Sequence, residues 1–136
     1  MRAESMISLC PSCWRPLSHG AATCPSCGAD VPSLDRQSYT DKLIRALGHP
    51  DAQTVARVAT ILATTAPGDA YVPLESSLWH YWREPYLAAA IVEALGLLDS
   101  SAARTVINEA LGHESVIVRA AAAKALQRPR PEAPKD

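Results

Sequence analysis

The sequence predicts an all-α protein, a stack of about three helix pairs preceded by a small cysteine-rich unit. Three observations lead there. First, residues 101–126 read as two short helices around a turn at Gly112-His113-Glu114, and this pattern has two altered relatives upstream. One is Leu47-Gly48-His49 followed by 51–62; the other is Leu78 followed by 84–95. Second, aligning the second helices puts Val58, Ile91 and Ala122 in one column, with steps of 33 and 31 residues (58→91→122). The next columns hold Ile61, Ala94 and Ala125, then Leu62, Leu95 and Leu126. Within each copy these positions fall at i, i+3 and i+4, one face of a helix. A pair this short cannot bury that face alone, whereas stacked pairs supply one another with neighbours. Third, alanine supplies much of the apolar content and Phe is absent. Small side chains suit close helix packing better than a β-sandwich core.

The repeated segment resembles HEAT-type α-helical repeats. Val118-Arg119, Ala122, Ala125 and Leu126 match that family's second-helix pattern of Val-Arg followed by spaced small and apolar residues. The family usually starts this helix with Asp. Asp51 fits, Glu84 is acidic, and Ser115 departs while remaining a good N-cap. The Val-Arg pair is degenerate at Thr54-Val55 and Leu87-Ala88. The resemblance covers 39–127 and implies a short solenoid. It specifies architecture and not activity, because such repeats serve unrelated processes.

Ahead of the repeats stand Cys10-Pro-Ser-Cys13 and Cys24-Pro-Ser-Cys27-Gly28, two Cys-x2-Cys pairs separated by ten residues. Each turn aims two thiolates at one point about 2.3 Å away, and two turns complete a tetrahedron around Zn²⁺. Gly28 stands where such a knuckle needs positive φ, and Pro11 and Pro25 stiffen the turns. Metal supplies most of the folding energy of so short a unit, ~10–16 kcal/mol in small zinc peptides. Two disulfides and a redox dithiol are the alternatives. Disulfides suit exported chains, and a thioredoxin-like dithiol needs a βαβ setting that is absent here. Four thiolates close the coordination, so the expected zinc is structural. This part resembles short zinc-ribbon modules at the ends of many bacterial proteins. His19, between the pairs, reads as a solvated loop residue.

The expected organisation is an N-terminal extension at 1–8, zinc ribbon at 9–31, linker at 32–38 and helical repeats at 39–128 (39–66, 67–98, 99–128), with a proline-rich disordered tail at 129–136. Met6 offers a second start. The connector 29–38 is expected to be short and polar. Ser38 or Thr40 caps the first helix, which turns Leu43, Ile44 and Leu47 inward. Asp51 caps the next, carrying Val55, Val58, Ala59 and Leu62. Residues 66–69 read as a break, and Pro73 as part of the first turn of the following helix. Asp99, Ser100 and Ser101 start the first helix of the third pair, Ser115 caps its second, and Arg119 is expected to face an acidic group of the second pair. His49 and His113 occupy equivalent turns, which suggests a local turn role.

The second pair is anomalous. From Leu78 to Leu95 is 17 residues, against 15 from Leu47 to Leu62 and from Leu111 to Leu126. The excess is expected in the stretch 79–86, which holds Trp79, His80, Tyr81, Trp82, Arg83, Pro85 and Tyr86, with Pro85 opening the next helix. Two readings stay open. The tryptophans fold back to fill space left by alanines, or Trp79, Tyr81, Trp82, Arg83 and Tyr86 form an exposed edge for a protein partner, being residue types typical of interface hot spots. His80 reads as a surface or hydrogen-bonding group.

Formal net charge is −1. Residues 1–38 carry three basic and three acidic groups, and 39–128 carry eight and nine. Neither is a basic patch, which argues against strong non-specific nucleic-acid binding. No run approaches the ~20 apolar residues of a membrane span, and residues 1–10 lack the apolar region of a secretory signal. No nucleophile, acid–base pair or phosphate loop is evident. The expectation is a non-enzymatic adaptor with structural zinc. Proteins resembling this combination are mainly bacterial and cytoplasmic. Nucleic-acid association through Arg2, Arg15 and Arg36 of the ribbon is the alternative. A small-molecule-binding or lyase-like HEAT protein and a redox-sensitive zinc switch come behind it.

Overall fold

The structure, a computed structural model, describes residues 8–18 and 20–128. Most of the expected N-terminal extension, His19 and the expected tail at 129–136 lie outside the described residues. The chain is mostly helical, with a two-stranded antiparallel sheet at its start. The order is β1 (Ser8–Leu9), β2 (Pro16–Leu17), α1 (Val31–Asp35), α2 (Tyr39–Ala46), α3 (Ala52–Thr65), α4 (Pro67–His80), α5 (Pro85–Leu95), α6 (Ser101–Ala110) and α7 (Val116–Gln127). Ser8 pairs with Leu17, and Leu9 with Pro16.

Local chemistry explains where the helices begin. Side-chain oxygens of Ser38, Asp51, Ser100 and Ser115 accept from the backbone N–H groups of Asp41, Thr54, Ala103 and Ile117, at 3.0–3.2 Å. Each satisfies a donor that the first helical turn leaves orphaned. The Thr54 hydroxyl and N–H together hold the Asp51 carboxyl below the usual carboxylate value. Helices α4 and α5 start instead on Pro67 and Pro85, where the missing N–H costs nothing and the fixed φ suits the helix.

Packing follows the pairs. Helices α2 and α3, α4 and α5, and α6 and α7 pack against each other; α3 lies on α5 and α5 on α7, while α2 meets α4 and α4 meets α6. One core runs through them, including Leu43, Leu47, Val55, Val58, Ala59, Leu62, Leu74, Leu78, Ile91, Leu95, Ile107 and Val118. Helices α5 and α7 approach closely at the end of α5. A Cβ added at Gly96 would stand 2.8 Å from the Ala125 Cβ.

Several expectations are corrected. The connector contains a short helix, α1, with Pro32 in its first turn. The break expected at 66–69 is confined to Ala66, with φ −138° and ψ 59°, and Pro67 already opens α4. Pro73 therefore lies inside α4 and not in its first turn, which removes one N–H from the helical ladder. Arg119 does not face the second pair: its Nη1 donates to the carbonyls of His113 (2.7 Å) and Glu114 (2.8 Å). Helical side chains lean towards the N-terminus, and that lean carries Arg119 onto its own turn. Ile61 is 37% exposed although Ala94 and Ala125 in its column are buried. Ala125 faces the preceding second helix, and α3 has no such helix before it among the described residues.

Gly96→Ala is expected to destabilise the protein by about 1–3 kcal/mol, since the Ala125 methyl cannot swing away. Gly68→Ala, in the first turn of α4 with nothing within 4 Å of the added Cβ, is expected to be neutral or stabilising by up to about 1 kcal/mol. Denaturant unfolding of the two variants checks both.

Candidate metal centre and the aromatic edge

The N-terminal unit is two copies of one turn, fourteen residues apart. In the first, Cys10 N–H donates to the Arg15 carbonyl (2.9 Å) and Trp14 N–H to the Cys10 carbonyl (2.7 Å). In the second, Cys24 N–H donates to Ala29 (3.0 Å) and Gly28 N–H to Cys24 (2.8 Å). The Ser12 and Ser26 N–H groups each point at the first sulfur of their turn, at 3.4 Å. Leu9 pairs with Pro16 and Thr23 bridges Asp30, closing each copy as a small hairpin. Buried Cys10, Leu17 and Cys24 form what core the unit has.

The two turns bring Cys10, Cys13, Cys24 and Cys27 together, with all four sulfurs within 4.8 Å of one another. Cys10 Sγ lies 3.7 Å from Cys27 Sγ, and Cys13 Sγ lies 3.7 Å from Cys24 Sγ. A disulfide needs about 2.05 Å, so the cysteines are free thiols. A tetrahedral ion about 2.3 Å from each sulfur needs sulfur–sulfur edges of about 3.8 Å, which these separations meet. The donor set is four soft sulfurs with backbone N–H groups as outer support, and it fits a thiophilic metal ion.

The electrostatics point the same way. The Cys27 N–H draws the Cys24 thiol down; burial opposes this, but the Ser26 N–H and the Cys13 and Cys27 thiols bring it to about 6. Burial pushes Cys10 up, yet the Cys13 and Ser12 N–H groups and the Cys27 thiol outweigh it, leaving Cys10 below the usual thiol value. The Arg15 N–H draws Cys13 down, but burial and the three neighbouring sulfurs together raise it to about 11. Four thiolates this close repel, so without a cation the cluster divides into thiolates and thiols. A divalent ion removes that conflict.

Gly28 takes φ 77° as its position requires, while the equivalent position in the first turn holds Trp14 at φ 63°. Trp14 is the one non-glycine residue with positive φ among the described residues. That conformation costs an L-residue roughly 1–2 kcal/mol. Its indole lies against the helical part, 5.0 Å from the His49 ring. Trp14 was not among the expected site residues. The signal for it is the fourteen-residue repeat of Cys-Pro-Ser-Cys, which aligns Trp14 with Gly28.

The aromatic stretch divides. It is not one long loop: Trp79 and His80 complete α4, Tyr86 belongs to α5, and the connection 81–84 is no longer than 47–51 or 111–115. The excess length is helix. Tyr81 and Trp82 are half-buried against the core. The Tyr81 hydroxyl donates to the Leu47 carbonyl at 2.9 Å, and the Trp82 ring packs 4.4 Å from His113. Trp79 is 41% and Tyr86 79% exposed, Arg83 is exposed, and Trp79 lies 5.0 Å from the Trp82 ring. His49 and His113 do share a turn role: each Nδ1 accepts, at 2.9 Å, the N–H two residues on, from Asp51 and Ser115. That fixes the proton of His113 on Nε2, which donates to the Trp82 carbonyl at 2.6 Å.

Metal binding needs thiolates, so protons compete with it. Bound metal is expected to be held at pH 7.5 and progressively more weakly as the pH falls, because each thiolate it releases takes up a proton. Cys24→Ser is expected to weaken retention by about two to three orders of magnitude at pH 7.5, one ligand's share of the ~10–16 kcal/mol of a structural site. Titration with a chromophoric chelator at several pH values reads both. Comparison of the chain with family models, curated proteins and solved structures returns no match.

Proposed function

We propose that the chain is a non-catalytic interaction module, a structural zinc ribbon followed by a short HEAT-like α-solenoid that docks a protein partner. Zinc is the ion of choice because the cage is all-thiolate, and Zn²⁺ prefers four tetrahedral sulfurs when it has no catalytic task. The solenoid reading is supported by first helices packing on first helices and second on second, in step with the sequence repeat. Among the described residues no helix is long and apolar enough to cross a membrane. We place the protein in a reducing cytoplasm, where such thiols stay free to hold metal.

The observation that carries the docking surface is the aromatic edge of the second pair. Trp79 and Tyr86 expose large rings, Arg83 between them in the chain is exposed, and Arg83 also lines a groove of about 730 Å³ with Trp82, His113 and Ser115. Aromatic rings and arginine at a rigid edge are what protein partners use as anchors. Tyr81 and Trp82, by contrast, hold the turn in place.

Affinity capture with the Trp79→Ala/Tyr86→Ala variant, with and without nuclease, tests this. A partner that survives nuclease and is lost at least tenfold in the variant is the expected result. Capture abolished by nuclease and unaffected by the variant would move function to nucleic acid and to Arg15 and Arg36 of the ribbon.

A further inference from the structure

We propose that the first metal turn is a metal-dependent cap on the helical stack, with Trp14 as its rivet. The inference rests on the metal reading of the cysteine cage. Four observations carry it. The turns before α3, α5 and α7 can be aligned on their N-caps Asp51, Glu84 and Ser115. His49, Trp82 and His113 then occupy one position, two residues before the cap. Trp82 of the second turn packs 4.4 Å from His113 of the third, with ring planes at 55°. Trp14 packs 5.0 Å from His49 of the first, with planes at 57°. The cysteine unit thus meets the first helix pair as the second pair meets the third, with a tryptophan over the turn histidine.

The contact extends to the backbone. A Cβ at Gly48 would meet Trp14 Nε1 at 3.1 Å, so the indole rests against that glycine. The alignment with Gly28 shows that the metal turn itself favours glycine where Trp14 stands. A bulky residue held at φ 63° serves something other than the turn, and the Trp14 ring rests against Gly48 and His49.

Metal and docking are coupled through this residue. Trp14 directly follows Cys13, and its N–H closes the turn onto Cys10. Metal on Cys10 and Cys13 holds that turn shut and keeps Trp14 in its left-handed conformation. Without metal the turn relaxes and the indole leaves His49. Coupling of this kind is reciprocal, so docking also favours the metal-bound form. Loss of metal therefore uncovers the edge of the stack at 47–51 and leaves the helices in place.

Amide hydrogen exchange on the full chain tests this, comparing zinc-loaded with chelated protein and wild type with Trp14→Gly and Trp14→Phe. In wild type, the amides of Gly48, His49 and Asp51 are expected to exchange at least tenfold faster after chelation, with the helical circular dichroism retained. In Trp14→Gly, which binds zinc stoichiometrically, the difference is expected to fall below twofold; Trp14→Phe restores part of it. Protection of 48–51 that ignores chelation in wild type, or depends on metal equally in Trp14→Gly, overturns the cap. Failure of wild type to take up zinc overturns the metal reading itself, and stoichiometric uptake with unchanged protection overturns the cap alone.

Discussion

Helix α5 can exist only as an interior element, and the stack is arranged to make it one. Leu87, Ala88, Ala89, Ile91, Val92, Ala94 and Leu95 are buried, which leaves no broad polar face in its eleven residues. A helix apolar on most sides must be surrounded to be stable in water. Helices α3, α4, α6 and α7 all pack on it. The alanines and Gly96 let α7 approach closely enough that no extra methyl fits between Gly96 and Ala125. Helices α3, α6 and α7 each bury part of their surface in this arrangement, and α2 packs outside it on α3 and α4.

A second set of contacts runs along one edge and ties the turns together. Tyr81 donates to the Leu47 carbonyl, His113 donates to the Trp82 carbonyl beneath the Trp82 ring, and Arg119 closes on the carbonyls of His113 and Glu114. Each bond satisfies a carbonyl in a turn between two helices, outside their ladders. The metal unit continues this edge through Trp14. The two parts of the chain are stabilised by different physics. The helices rest on apolar burial, whereas the cysteine unit has three buried residues in its core, so a metal ion on its four sulfurs would supply what burial does not. The Trp14 indole lies between them, against Gly48 and His49.

Much of this was legible because it follows from local chemistry or strict period. Cysteine spacing marked the cage, and Ser38, Asp51, Ser100 and Ser115 marked helix starts through their short oxygen-bearing side chains. The i, i+3, i+4 pattern marked the buried faces of the second helices. What stayed hidden depended on context. Pro73 looked like a helix opening because proline usually is one, but Pro67 had already opened α4 and the packed helix absorbs the interruption. Ile61 fits its column and is exposed because the column needs a preceding helix. The aromatic stretch could not be divided from sequence, since whether Trp82 or Trp79 turns inward depends on where His113 lies. Trp14 stayed hidden because a cysteine motif's chemistry lies in its ligands, whereas its backbone conformation shows in the residue after it.

The central claim is a closed four-sulfur metal site built by two equivalent turns. Zinc K-edge X-ray absorption on protein purified without added metal tests it most directly. The expected spectrum has one shell of four sulfurs at about 2.3 Å and no nitrogen or oxygen ligand. A shell containing nitrogen or oxygen, or protein that folds this unit without zinc, would contradict it.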